Sequence, residues 1–128
     1  MKILHISNFV QKHDGRLYWN HCFKINNGFI RNGHNVLSFS DRDIARQDLV
    51  NKLNNNKTLN KRLINTFKNF QPDVVVLGHA DKVNNSTLAE FRSINKNIRI
   101  IEWNVDNYYL DNTEIKFKNR SEFIDAFF

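Results

Sequence analysis

Lys2-Ile3-Leu4-His5-Ile6-Ser7-Asn8-Phe9 opens the chain; a polar loop through Asp14-Gly15 follows, then an amphipathic segment and, after Gly33-His34, a second apolar run at Val36, Leu37 and Phe39. This order spells strand, loop, helix, strand. Two buried strands joined through a helix form a right-handed crossover and run parallel. The loop after the first strand therefore opens at the carboxyl edge of the sheet, where ligands of open α/β sheets bind.

Working outward, Ile3, Leu4, Ile6 and Phe9 suit a strand buried on both faces, which reads as continuously apolar. Tyr18, Cys22, Ile25 and Phe29 recur every three or four residues, with Trp19, Phe23 and Ile30 widening the stripe, and predict a helix packed on the sheet. Gly28 lowers the propensity of that helix and suggests a close approach to a strand, while Gly33 supplies a left-handed stop. Ser40-Asp41-Arg42-Asp43 ends the second strand, with Asp43 a candidate cap for the next helix.

Ile44, Leu49, Val50 and Leu53 predict a short helix, and Leu59, Leu63, Ile64, Phe67 and Phe70 a longer one ended by Pro72. Val74 to Leu77 is the plainest strand in the chain. Thr87 and Glu90 have capping-box spacing ahead of a helix through Leu88, Phe91 and Ile94, and Ile98, Ile100, Ile101 and Trp103 mark a fourth strand. The expected fold is α/β: a Rossmann-like open parallel sheet of four to five strands with helices on both faces, residues 1–128 forming one domain. The apolar tail at Phe123, Ile124, Phe127 and Phe128 has two readings: the start of a further strand in a longer protein, or an edge strand closing this sheet.

The 128 residues carry a formal charge of +6 and a pI near 9.6. Lysine and asparagine are scattered, no block of like charges occurs, and no RNA-binding or helix-turn-helix signature is present, so no nucleic-acid partner is expected. The diffuse charge suggests weak contact with an anionic membrane surface. The single cysteine, Cys22, cannot form an intrachain bridge, no run approaches the roughly 20 apolar residues of a membrane span, and the N-terminus is unlike a signal peptide. A cytoplasmic location is expected.

Four polar segments should meet at one sheet edge: residues 11–16, 40–43, 78–82 and 104–109. His79 and His13 are candidate proton acceptors or hydrogen-bonding groups there, His13 reading equally well as an exposed loop residue. Gly15 and Arg16 border the first loop, and Asp81 follows His79. Asp106 beside Tyr108 is suited to hold a sugar, the ring covering an apolar face and the carboxylate taking hydroxyl protons, although an ordinary turn would look the same. Asp41 reads as a solvated turn residue, and Arg42 as a surface charge. Neither a G-x-G-x-x-G nor a P-loop pattern occurs, so no cofactor is expected in this domain, and histidine spacing suggests no metal.

The run Lys2-Ile3-Leu4-His5-Ile6, the stretch Phe29-Ile30-Arg31-Asn32-Gly33-His34-Asn35-Val36, the stretch Phe39 to Arg46, Pro72 to Asp81, and Trp103-Asn104-Val105-Asp106 together resemble the N-terminal half of GT-B glycosyltransferases, notably the bacterial spore-coat glycosyltransferase-like group. That resemblance implies a transferase whose N-terminal domain binds a small-molecule or glycan acceptor. A C-terminal half, absent here, would grip a nucleotide-sugar donor, and this fragment alone would be silent. It places the His13 to Arg16 loop, His79 and Asp106 on the cleft. The alternative is a stand-alone α/β binding or regulatory module using the same edge without catalysis.

Overall fold

The computed structural model describes residues 1–47, 54–106 and 111–128. Five strands form one sheet: β1 (Lys2–Ser7), β2 (Asn35–Ser40), β3 (Val74–Gly78), β4 (Arg99–Trp103) and the short β5 (Ala126–Phe127). Their order is β2-β1-β3-β4-β5, and every neighbouring pair is parallel. The α/β expectation holds, and the tail supplies the fifth strand. Asp125 ties that strand down, its carboxylate accepting from the Ile100 N–H and the Arg92 and Arg99 guanidinium groups.

Among the described residues, five α-helices flank the sheet: α1 (His21–Arg31), α2 (Asp41–Gln47), α3 (Lys57–Phe70), α4 (Asn85–Ile94) and α5 (Asp111–Arg120). Alternation along β1 divides its side chains between two cores. Leu4 and Ile6 join Leu37, Phe39, Val75, Leu77 and Ile100 beneath α3 and α4, where Phe67 stacks on Phe91 at 4.2 Å. Ile3 joins Val76, Trp103 and the α1 residues Cys22, Phe23, Ile25 and Phe29 on the opposite face. A two-residue period can serve both faces only if both are covered, which explains why β1 places apolar side chains on each face, Leu4 and Ile6 on one and Ile3 on the other.

Chain winding reverses between β1 and β3, because α1 leads from β1 to β2 on one side while β3 and β4 build outward on the other. This is the topological switch point of a flavodoxin-like order, where the loops diverge and leave a crevice at the carboxyl edge.

Several local expectations fail for identifiable reasons. Tyr18 and Trp19 are 72% and 57% exposed, because the helix begins only at His21, capped by the Asn20 side chain on the Phe23 N–H. Gly28 approaches no strand: a Cβ there would meet nothing within 4 Å. Thr87 caps nothing, since α4 begins two residues earlier and the Thr87 hydroxyl donates instead to the Asn60 side chain at 2.7 Å. Asp43 lies inside the first turn of α2, accepting from the N–H groups of Gln11 and Lys12 and from the Ser40 hydroxyl, so it anchors the loop after β1. Leu49, Val50 and Leu53 lie outside the described residues. Among the described residues, no helix is long and apolar enough to cross a membrane.

Candidate functional site

At the switch point a cavity of about 230 Å³ opens between the ends of β1 and β3. Asn8 and Val10 from the loop after β1 form one wall, and Asn20, His21 and Cys22 at the start of α1 form another. Arg42, His79 and Trp103 close it from the ends of β2, β3 and β4. Four segments far apart in sequence thus meet because four parallel strands end at one rim.

His79 adopts left-handed backbone geometry (φ 49°), as does the β-branched Val10 across the cavity. Non-glycine residues pay of order 1–3 kcal/mol for such conformations, and they concentrate where a loop is held for a purpose. The His79 ring packs edge-on to Trp103 at 5.8 Å, and its Nδ1 lies 3.8 Å from an Asp106 carboxylate oxygen. The Trp103 indole in turn packs against Gly78, where an added Cβ would stand 2.2 Å from the ring. Only glycine leaves room for that ring.

Beneath the cavity, the Ser7 hydroxyl donates to the Gly78 carbonyl at 2.5 Å and sits 2.9 Å from the Cys22 sulfur. With the hydroxyl proton committed to the carbonyl, the Cys22 thiol is the donor to Ser7. Burial pushes the Cys22 thiol up from its ordinary value, so it stays protonated and structural. One layer deeper, His5 is fully buried against Phe9, Phe29 and Trp103, with Nδ1 3.1 Å from the Asn26 amide oxygen. Burial lowers its pKa to about 4, only partly offset by the Asn26 hydrogen bond. It is neutral at pH 7.

Asp41 is fully buried, contrary to its reading as a solvated turn residue. Its two oxygens accept from the N–H groups of Arg42 and Lys82, which stitches β2 to the loop after β3. Burial pushes its carboxyl up to about 6, against the pull of those two bonds and of the Arg42 charge. Arg42 is no free surface charge either, since its guanidinium pairs with Asp81 across the rim.

Of the residues singled out from sequence, His79 lines the cavity, and Asp106 and Asp81 flank it as partners of His79 and Arg42. His13 and Arg16 are not among its lining residues; they pair weakly with each other at 3.5 Å on the loop that Gly15 (φ 82°) helps to turn. Tyr108 lies outside the described residues. Arg42, Trp103 and Asn20 were missed as site components. An Asn-X-X helix start beside a rim loop was the available signal for the last, whereas nothing local marks Arg42 or Trp103.

No family model matches this sequence, and no curated protein does. Solved structures do. The response regulator protein TrrA from Thermotoga maritima, in complex with Mg(2+)-BeF, matches 99% of this chain and 84% of its own at 13% identity, with a TM-score of 0.51. A DNA-binding response regulator of the LuxR family from Staphylococcus aureus matches the same shares at 15% identity and the same TM-score. At these identities the likeness establishes the fold alone.

It nevertheless overturns the glycosyltransferase reading and with it the glycan acceptor and the missing donor-binding half as partners. Both of these structures are response regulators, and the strand order of this chain is flavodoxin-like. The opening strand-loop-helix-strand pattern is shared by every doubly wound sheet, so residues such as Phe29 to Val36 carried fold and not activity. Excluding nucleic acid on scattered charge is also withdrawn, because one structural match is a DNA-binding protein.

Proposed function

We propose that this chain is a regulatory or binding module without catalysis of its own, whose working surface is the carboxyl rim around the β1/β3 switch point. The observation that carries this reading is the meeting of His79, Arg42, Trp103 and the open end of α1 on one cavity. Asp81 and Asp106 belong to the same surface as the partners of Arg42 and His79, and His13, Gly15 and Arg16 border it. The fold shared with response regulators supports a signalling role over an enzymatic one.

The rim does not fit the magnesium of the TrrA complex. Mg²⁺ demands near-octahedral oxygen ligands with carboxylates among them. Here Asp41 and Asp43 are buried and occupied by backbone N–H groups, and Asp81 is held by Arg42. Among the described residues, no three acidic, histidine or cysteine side chains cluster suitably. Regulation through this rim therefore uses other chemistry.

The test is turnover. The chain should convert neither acetyl phosphate nor p-nitrophenyl phosphate above the buffer rate, with or without Mg²⁺. Steady turnover abolished by His79→Ala in a folded variant would overturn the module reading.

A further inference from the structure

Away from the rim cavity, a groove of about 590 Å³ runs between α3 and α4. Asn60 ties its two walls together, its side chain donating to the Asn56 and Lys82 carbonyls and accepting from the Asn84 N–H and the Thr87 hydroxyl. Lys57, Lys61 and Lys68 line the α3 side, and Glu90 is the only carboxylate among the described lining residues. Lys68 and Glu90 stand 3.7 Å apart with both side chains about half exposed, a pairing too solvated to hold either firmly. Lys57 and Lys61 have no carboxylate partner among the described residues. The groove is therefore a positively charged channel with two uncommitted charges.

Its uncharged lining narrows the occupant further. The Asn55 and Asn65 side-chain amides line the same groove and make no hydrogen bond among the described residues. A free amide both donates and accepts, which matches the N–H and C=O groups that an extended backbone presents and that a helix keeps for itself. Lys57 and Lys61 are about 6 Å apart along α3, close to the roughly 6.6 Å between alternate side chains of a strand. At the far end Lys68 also lines a second cavity, with Phe67, Gln71 and the 41% exposed Ile94, so the channel ends on an apolar surface. From Lys57 to Gln71 the helix rises about 21 Å, the reach of about six extended residues.

We propose that the groove between α3 and α4 docks an extended acidic segment of a partner protein. Carboxylates two residues apart meet Lys57 and Lys61, the segment's backbone meets the Asn55 and Asn65 amides, and an apolar side chain lies toward Ile94. This surface is separate from the rim, because the groove and the switch-point cavity share no lining residue. A phosphodiester strand fits less well, since it carries a charge on every residue and sets one of them against Glu90. A peptide spaces its carboxylates and leaves an uncharged residue there.

The experiment is a ¹H–¹⁵N NMR titration of the full chain at low salt with the peptide acetyl-Glu-Ser-Glu-Ser-Ser-Leu-amide, with its counterpart carrying lysine for glutamate, and with a six-residue oligothymidylate. The acidic peptide should shift the Asn55 and Asn65 side-chain NH₂ signals and the Lys61 amide saturably, while the basic one does not. Lys57→Gln with Lys61→Gln should weaken binding about tenfold. Lys24→Gln with Arg31→Gln, on α1 across the sheet, removes the same charge and should leave the affinity unchanged. Glu90→Gln should tighten binding about threefold, a gain that a poorly folded variant cannot produce. No saturable shift with the acidic peptide, or equal weakening by the two double variants, would overturn the proposal. So would tighter binding of oligothymidylate at the same signals, which would make the groove a nucleic-acid site. The module reading of the rim stands apart from these outcomes, because turnover decides it.

Discussion

Acidification from pH 7 to pH 4 acts on the layer beneath the cavity through two buried groups of opposite sign. His5 has a folded pKa of about 4 against 6.5 for the free side chain, because charging it would place an imidazolium among Phe9, Phe29 and Trp103. Below pH 6.5 the unfolded chain binds a proton that the folded chain refuses until about pH 4. Stability from His5 is therefore complete above 6.5 and falls with pH through that window, by about 3 kcal/mol in all. Asp41 runs the other way. Its folded pKa is raised to about 6 from 3.8, so the folded chain keeps a proton that the unfolded chain has lost, and stability declines as pH rises from 3.8 to 6.

Between pH 4 and 6 the two slopes nearly cancel, and the wild-type stability should be almost flat. His5→Leu unmasks them. Leucine has no titrating group, fills similar space against the same aromatic rings, and leaves the Asn26 oxygen still accepting from Ser38. Urea unfolding followed by tryptophan fluorescence at half-unit pH steps should show the wild-type-minus-variant difference shrinking by about 3 kcal/mol from pH 7.5 to pH 4. The variant alone should gain stability on acidification from pH 6 to 4. A pH-independent difference, or a His5 NMR titration midpoint near 6.5, would refute the reasoning.

Other substitutions test the packing. Gly78→Ala drives a methyl into the Trp103 indole and should cost about 1–3 kcal/mol, with a change in near-ultraviolet circular dichroism reporting the displaced ring. Asn60 donates to the Asn56 and Lys82 carbonyls and accepts from the Asn84 N–H and the Thr87 hydroxyl, so Asn60→Leu should lower stability by at least about 2 kcal/mol in urea. Phe67→Ala removes the ring stacked on Phe91 in the larger core and should cost about 3–5 kcal/mol in the same assay. Val10→Asn relieves a β-branched residue of left-handed geometry and should raise the urea midpoint by the equivalent of about 1 kcal/mol; a lower midpoint would argue that Val10 packing outweighs the strain.

Element type and face were legible in the chain because they depend on neighbours two to four residues away. The largely apolar run at Ile3 to Ile6 and the continuous one at Val74 to Leu77 announced central parallel strands, and the four-residue recurrence of Leu59, Leu63 and Phe67 announced a helix. Helix starts were less legible. Tyr18, Trp19 and Thr87 carry the right residue types, but the cap at Asn20 and the pull of Asn60 on Thr87 decided where α1 and α4 begin.

By itself, then, the sequence determined a parallel α/β sheet and a rim on which His79, Asp81 and the loop after β1 would fall, since crossover handedness and strand direction follow from local pattern. Tertiary structure alone decided the order β2-β1-β3-β4-β5 and therefore the place of the switch point. It also decided that Asp41 is buried, that Arg42 pairs with Asp81, and that Trp103 lies over Gly78 with an unsatisfied N–H. Each of these depends on a neighbour at least 25 residues distant, brought close only by pairing of whole strands. No local rule of side-chain period or propensity encodes that proximity.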